Sequence, residues 1–398
     1  MKPLQPKPLL VAGVMSGTSA DGIDVALCRI SPALRADTAP RVKLLGIRSF
    51  AYDKKLRATI MSTAVGEKTT AAELTQLSWR LGALYADCIA ATFCELNLKP
   101  QLVAIHGQTI YHQACPAKFL GEPIRCTSQI GEPALIAERL RIPVISDFRP
   151  NDLAAGGQGA PLVPMLDYCL FRHPTRNRLL LNLGGIANIT ALPAACTTGN
   201  VLAFDVGPAN MLIDALMQRL YSHRYDKNGT VAARGLVLQP ILDRLLTTPY
   251  FTARPPKSCG REEFGPAFAD RFLNLCKSVS NQDAIATATA LTAATLLDAY
   301  RHICRPHLDE QAPLARATEL IVAGGGAKNL TLMRMLAQGF AQIGVKVTTT
   351  ASSGLPVEAK EAAAFALLGW LTWHGLPGNI PSATGAARSV VLGKVTLA

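Results

Sequence analysis

Two distant stretches of this chain share one plan, and that repetition limits the folds open to it. In "VAGVMSGTSADGIDVAL", residues 11–27, two apolar runs flank Ser16, Gly17, Thr18, Ser19, Ala20, Asp21 and Gly22. In "RLLLNLGGIANITAL", residues 178–192, two apolar runs flank a turn centred on Gly184 and Gly185. Each reads as a pair of strands around a polar turn, and the first turn is longer than a simple hairpin needs. Alternating strand and helix patterns follow both. After the first come a strand in "KLLGIRSFAY", a long amphipathic helix in "AAELTQLSWRLGALYADCIAATFCELN", a short buried strand in "LVAIHGQTIYH", a helix in "EPALIAERLR" and a strand in "IPVISDF". After the second come "VLAFDVGPANMLIDALMQRL", "ATATALTAATLLDAYRHI", "ELIVAGGGAKNLTLMRMLAQGF", "VKVTTT" and "EAKEAAAFALLGWLTWHG". The Gly- and Pro-rich "RPNDLAAGGQGAPLVP" between them reads as a linker or a functional loop. The expected architecture is α/β, with two similar lobes whose hairpin tips face one another across a cleft.

The chain's 398 residues, 49% apolar and 17% charged, supply enough material for two cores. No apolar run reaches the roughly 20 residues of a membrane span, and no signal peptide is expected from the N-terminal pattern. Ten cysteines are scattered without a C-x-x-C pair, which points away from a zinc site or a disulfide framework and towards a reducing cytoplasm. The net charge of +12 is spread thinly, so an anionic small-molecule substrate accounts for it as well as nucleic acid does.

Three glycine-rich turns offer main-chain N–H groups to an anion: "SGTSADG", "GGIAN" with Gly184, Gly185 and Asn188, and "VAGGGAKN" with Gly324, Gly325 and Gly326. None is a Walker A loop or a spaced G-x-G-x-x-G. Among the acids, Asp21 could hold a metal through water or simply close its turn. Asp205, at the end of an apolar run, is a reactive carboxylate or a helix cap. Glu361 opens a helix, where dipole compensation also explains it. His106 is a base or a hydrogen-bonded structural residue.

Taken in order, "GVMSGTSADGIDVAL", "HGQTI", "DLAAGGQGAPLVP", "LNLGGIANIT", "FDVGPANMLIDA", "YDKNG", "PKSCGREEF", "VAGGGAKN" and "GLPGNIPSATGA" resemble the anhydro-N-acetylmuramic acid kinase family almost from end to end. The resemblance implies the actin, Hsp70 and hexokinase superfold: two similar ribonuclease-H-like lobes of mixed sheet plus helices around a central cleft. The first lobe would comprise residues 1–146 with 366–398, and the second residues 147–365. It also implies a cytoplasmic, homodimeric enzyme that uses ATP and Mg²⁺ to open 1,6-anhydro-N-acetylmuramic acid with water and phosphorylate O6, in peptidoglycan recycling. No nucleic-acid or membrane partner is implied. By motif, Asp205 matches the general base, and Gly17, Thr18, Ser19, Ala20, Asp21, Gly22, Ile23 and Asp24 match the ATP phosphate loop. Gly184, Gly185 and Asn188 match a second phosphate hairpin, and Gly324, Gly325 and Gly326 the adenosine side. Thr109, Gly131, Arg149, Asp205 and Glu361 match sugar-binding positions.

Three positions depart from the family pattern. Pro150 stands where an arginine would be expected to meet the lactyl carboxylate. Glu132 stands where Asn or Asp is usual. Ala209 replaces a glycine, which would make a positive φ costly there. Alternative readings are a kinase of the same fold for another sugar and an Hsp70-like ATP-driven binding protein. The latter would need a further polypeptide-binding domain.

Overall fold

The computed structural model describes residues 6–18, 20–33, 39–66, 68–349 and 356–398. The chain divides into two units, Met1–Leu170 with Glu358–Ala398, and Phe171–Val357. The boundary expected at 365/366 would have cut the helix Lys360–Trp373, which belongs whole to the first unit. Among the described residues the strands are β1 (Leu9–Ser16), β2 (Gly22–Ser31), β3 (Arg41–Ala51), β4 (Leu102–Phe119), β5 (Glu122–Ile130), β6 (Val144–Ser146), β7 (Asn177–Leu183), β8 (Ile186–Leu192), β9 (Leu202–Pro208), β10 (Thr318–Ala323), β11 (Lys346–Thr349) and β12 (Lys394–Thr396).

The two sheets follow one rule. In the first unit the order is β12-β6-β4-β1-β2-β3, with β5 hydrogen-bonded to β4 off this path. In the second it is β11-β10-β7-β8-β9. In each, three consecutive strands form an antiparallel meander whose first member pairs in parallel with a later strand. A further parallel strand follows on that side. This is the ribonuclease-H-like order 3-2-1-4-5, present twice. The similar hairpins in the sequence are the first two strands of each meander.

Local chemistry explains the elements that frame the first unit. Thr70 and Glu73 form a capping box at the start of the helix Ala71–Leu96: Glu73 N donates to Thr70 Oγ1 over 3.1 Å, and Thr70 N to Glu73 Oε2 over 2.8 Å. The Ala-rich helix Lys360–Trp373 is buried almost all round. It lies so close to β1 that a Cβ at Gly13 would fall 1.9 Å from Ala362 O. At its first residue, Lys360 forms a buried ion pair with Asp167 over 2.8 Å. Removing one partner of such a pair typically costs about 3–5 kcal/mol, because the other charge is left buried and alone.

Several local expectations are corrected. The strand in "LVAIHGQTIYH" does not stop there. It continues to Phe119 and returns as β5 through Leu120 and Gly121, whose φ values of +51° and +92° suit a type I′ turn. The stretch beginning "RPNDLAAGGQG" opens not as a loop but as the helix Phe148–Ala154. Pro150 is tolerated in its first turn, where an N–H would have no intrahelical partner. Ala209 has φ −121°, so the anticipated strain of a positive φ does not arise. Glu132 caps the helix Pro133–Leu140 by accepting from Ala134 N over 3.0 Å. No helix among the described residues is long and apolar enough to cross a membrane, and none of the ten cysteines is in a disulfide.

Candidate active site

In the first unit the turn between β1 and β2 is held from below. Ser16 and Gln108 are buried. Ser16 Oγ donates to Gln108 Oε1 over 2.5 Å, and Gln108 Nε2 donates to Gly17 O over 3.2 Å. From the helix Lys54–Ala64, Arg57 donates Nε to Ala20 O over 3.1 Å and pairs with the exposed Asp21 over 3.3 Å. Ala20 holds a left-handed φ of +49°, a conformation that costs an L-residue roughly 1–2 kcal/mol. The turn is thus kept in a shape its own sequence would not choose. The side chains of Ala20 and Ile23 belong to the core, whereas Thr18 and Asp21 are exposed. Gly22 must be glycine on packing grounds, since a Cβ would meet Phe50 O at 2.2 Å. Ser19 lies outside the described residues.

Further along the same unit, Arg149 is fixed from two sides. Its Nε donates to His106 Nε2 over 3.0 Å and its Nη1 to Gly159 O over 3.1 Å. The other ring nitrogen of His106, Nδ1, lies 2.7 Å from Gly107 O. With Nε2 accepting, Nδ1 carries the proton, and burial together with the Arg149 charge keeps the ring neutral. Both nitrogens are therefore engaged, and His106 orients an arginine instead of serving as a base. Gly159 is itself pinned, its N–H donating to Asp152 Oδ2 over 2.8 Å. The fully buried Asp152 also accepts from Asn379 and Thr384 over 2.7 Å each. Burial lowers the Arg149 guanidinium to about 10, against the favourable charge of Glu361. The Glu361 carboxyl is pushed up by desolvation and by Asp24, against the pull of Arg149 and Lys360. Burial, and then the Glu358 charge, raise Asp24 against a hydrogen bond from Ser49. Thr109 Oγ1 accepts from Gln129 Nε2 over 3.3 Å. Gly131 has φ +133° and sits against the Tyr85 ring, and its N–H already donates to Ser78.

In the second unit, Asp205 lies on β9 directly across from Asn188 on β8, after a register shift at Ala187/Asn188. Asn188 in turn faces Asn182 on β7. Residues opposite one another in antiparallel strands point to the same side with Cβ atoms about 5 Å apart, so Asn182, Asn188 and Asp205 form one polar row. Asp205 Oδ2 accepts from Cys259 N over 3.1 Å. Burial pushes its carboxyl up to about 6, against the Cys259 hydrogen bond and the Lys257 charge. Lys257 is anchored by the carbonyls of Tyr250 and Phe251, over 3.0 and 3.3 Å. Tyr250 Oη donates to Asp205 O over 2.9 Å.

The glycines of the second unit separate into two kinds. Gly324 has φ +90° and would clash with Leu183, and a Cβ at Gly326 would meet Leu183 Cβ at 2.7 Å. Packing requires both. Gly184, Gly185 and Gly325 have no such constraint: a Cβ would find ordinary contact distances at the first two and open space at the third. Bare backbone that the protein does not itself require suits a ligand that approaches the main chain closely. The carbonyls of Gly184 and Gly185 tie this hairpin to the helix Asn210–Tyr221 by accepting from Ala209, Asn210 and Met211 over 2.9–3.1 Å.

Residue type had singled out neither Asp152, Asn182 nor Lys257. Asn182 was detectable, because it breaks the apolar run "LLLNL" at a position that faces Asn188.

A family model described as anhydro-N-acetylmuramic acid kinase matches residues 9–398. The anhydro-N-acetylmuramic acid kinase of Bacillus cereus (strain G9842) is 41% identical over 391 residues, covering 98% of this chain and 99% of its own length. That of Bacillus anthracis (strain CDC 684 / NRRL 3495) is 40% identical over the same share of this chain and 99% of its own. Among solved structures, a ROK family glucokinase from Streptomyces griseus, in complex with glucose and AMPPNP, aligns at 14% identity and a TM-score of 0.35, covering 90% of this chain and 99% of that one. With the family's pattern running the length of both units, the chain belongs to the anhydro-N-acetylmuramic acid kinase family.

Proposed function

We propose that this chain is a cytoplasmic, homodimeric kinase that hydrolytically opens 1,6-anhydro-N-acetylmuramic acid at the expense of ATP. The products are N-acetylmuramic acid 6-phosphate and ADP. The observation that carries the reading is the state of Asp205: a half-buried carboxylate with one oxygen held by Cys259 N–H and a pKa of about 6. A general base works best with its pKa near the operating pH, and this one is about nine-tenths ionised at pH 7.

In the reaction a water oxygen bonds to the anomeric carbon and its proton passes to Asp205. The bond from that carbon to O6 breaks, O6 bonds to the γ-phosphorus, and ADP leaves. The main chain of residues 17–24 and of Gly184 and Gly185 is assigned to the phosphates, Asn188 to the same hairpin's anion contact, and Gly324–Gly326 to the adenosine side. Thr109, Gly131, Arg149 and Glu361 are assigned to the sugar. For Gly131 this means a main-chain or shape contribution, since Ser78 takes its N–H.

Mg²⁺ belongs with the triphosphate in this reading. Among the described residues no group of three or more His, Cys, Asp or Glu could hold a metal, and Asp21 is exposed and paired with Arg57. The phosphate oxygens and water would therefore supply most of its ligands, with Asp21 contributing through water. When bound, such an ion neutralises charge on the transferring phosphoryl group.

The test is ADP release in the presence of ATP, Mg²⁺ and the anhydro sugar, run in ¹⁸O-water. Release should depend strictly on the sugar, with the label entering at the anomeric carbon and not in the phosphate. Sugar-independent release would support an ATP-driven binding protein instead. Release with only a different sugar would support the second reading, which Pro150 favours.

A further inference from the structure

The first unit contains a cavity of about 540 Å³ whose walls include Pro123, Arg125 and Thr127 from β5 and Pro150 and Leu153 from the helix Phe148–Ala154. We propose that Arg125 binds the carboxylate of the substrate's lactyl ether in this cavity and so selects the acidic sugar over its neutral counterpart. The inference rests on the kinase reading above and deepens it.

Three observations lead to it. First, Arg125 is exposed on the cavity wall, and its Nη1 donates to a main-chain carbonyl, Gly156 O. Its positive charge is not neutralised there, and further N–H donors remain for a planar carboxylate. Second, the same glycine-rich segment carries Gly159 O, which accepts from Arg149. Two guanidinium groups are thus anchored on one loop, and Asp152 holds that loop from beneath. Third, a hydrogen-bonded ladder joins the cavity to the sugar position proposed at Thr109. Gln129 Nε2 donates to Thr109 Oγ1 over 3.3 Å and to Thr127 Oγ1 over 2.7 Å, and Thr127 lines the cavity. The cavity volume lies in the range usual for small-molecule sites. Its proline and leucine walls suit the lactyl methyl group, and the planar guanidinium fork of Arg125 matches a carboxylate bidentately. Pro150 offers no side-chain donor on its wall, so the cation must come from the facing strand.

The experiment compares 1,6-anhydro-N-acetylmuramic acid with 1,6-anhydro-N-acetylglucosamine, the same bicyclic sugar without the lactyl ether, for the wild type, Arg125→Gln and Arg125→Lys. The wild type should prefer the acidic sugar. In Arg125→Gln the ratio of kcat/KM for the acidic over the neutral sugar should fall at least about tenfold, mainly through KM. Arg125→Lys should recover part of the ratio. An unchanged ratio in Arg125→Gln would overturn the assignment, and so would equal losses on both sugars, which a merely structural role would produce. Turnover of neither sugar by the wild type would overturn the kinase reading, and this assignment with it.

Discussion

Asp205→Asn gives the sharpest test, because one substitution should move activity and stability in opposite directions. The folded protein holds this carboxyl near 6, against an ordinary value of 3.8. A rise of roughly two units corresponds to about 3 kcal/mol of unfavourable free energy for keeping the group ionised. The sign follows from linkage. Below pH 3.8 the carboxyl is protonated in both folded and unfolded states and costs nothing. As pH rises through the folded value near 6 the penalty becomes complete, so wild-type stability falls across that window. Asparagine keeps an oxygen for Cys259 N–H and has no charge to desolvate. The variant should therefore equal the wild type near pH 3 and exceed it above pH 6 by up to about 3 kcal/mol, measured by chemical denaturation across that range. Turnover should fall by about 10² to 10⁴, while nucleotide affinity stays unchanged. The wild-type kcat/KM should lose about tenfold per pH unit below its folded pKa, and the residual activity of the variant should lack that limb. A variant no more stable than the wild type at pH 8, or one that keeps the same acid limb, would refute the picture of a desolvated, ionised base.

Gly17→Val should raise the nucleotide Kd at least about tenfold in calorimetric titration, because a branched side chain would crowd a main chain assigned to phosphate. An unchanged Kd would remove this turn from the nucleotide site. Gly13→Ala should destabilise the first unit by about 3 kcal/mol, the upper end for overpacking, since the new Cβ would collide with helix backbone at Ala362. A loss under about 1 kcal/mol in denaturant unfolding would mean that strand and helix separate more easily than their packing suggests.

Much of the architecture is legible in the sequence because it is written in local periodicity. Apolar runs broken by Gly-rich turns at residues 11–27 and 178–192 specify two hairpins, and these became β1–β2 and β7–β8. The helix Ala71–Leu96 is signalled by its apolar spacing and opens with Thr70 and Glu73. Where periodicity is weak, legibility fails. The outer half of the β4–β5 hairpin is largely exposed and contains Pro116 and Pro123, so no buried face marks it as strand. The segment after Asp147 combines Pro150 with later glycines, and its helix is short enough to pass for loop.

What the sequence determined alone was the repeated hairpin, the glycine turns and the motif positions, all consequences of side-chain period and backbone freedom over a few residues. Only tertiary structure decided what those positions do to one another. It turned His106 into a neutral prop for Arg149, and it placed Asp152 beneath the loop that also steadies that arginine. It also set Asp205 opposite Asn188 through a one-residue register shift. The physical reason is that hydrogen-bond partnership and desolvation depend on groups brought together from distant parts of the chain, and no local pattern records which of them will meet.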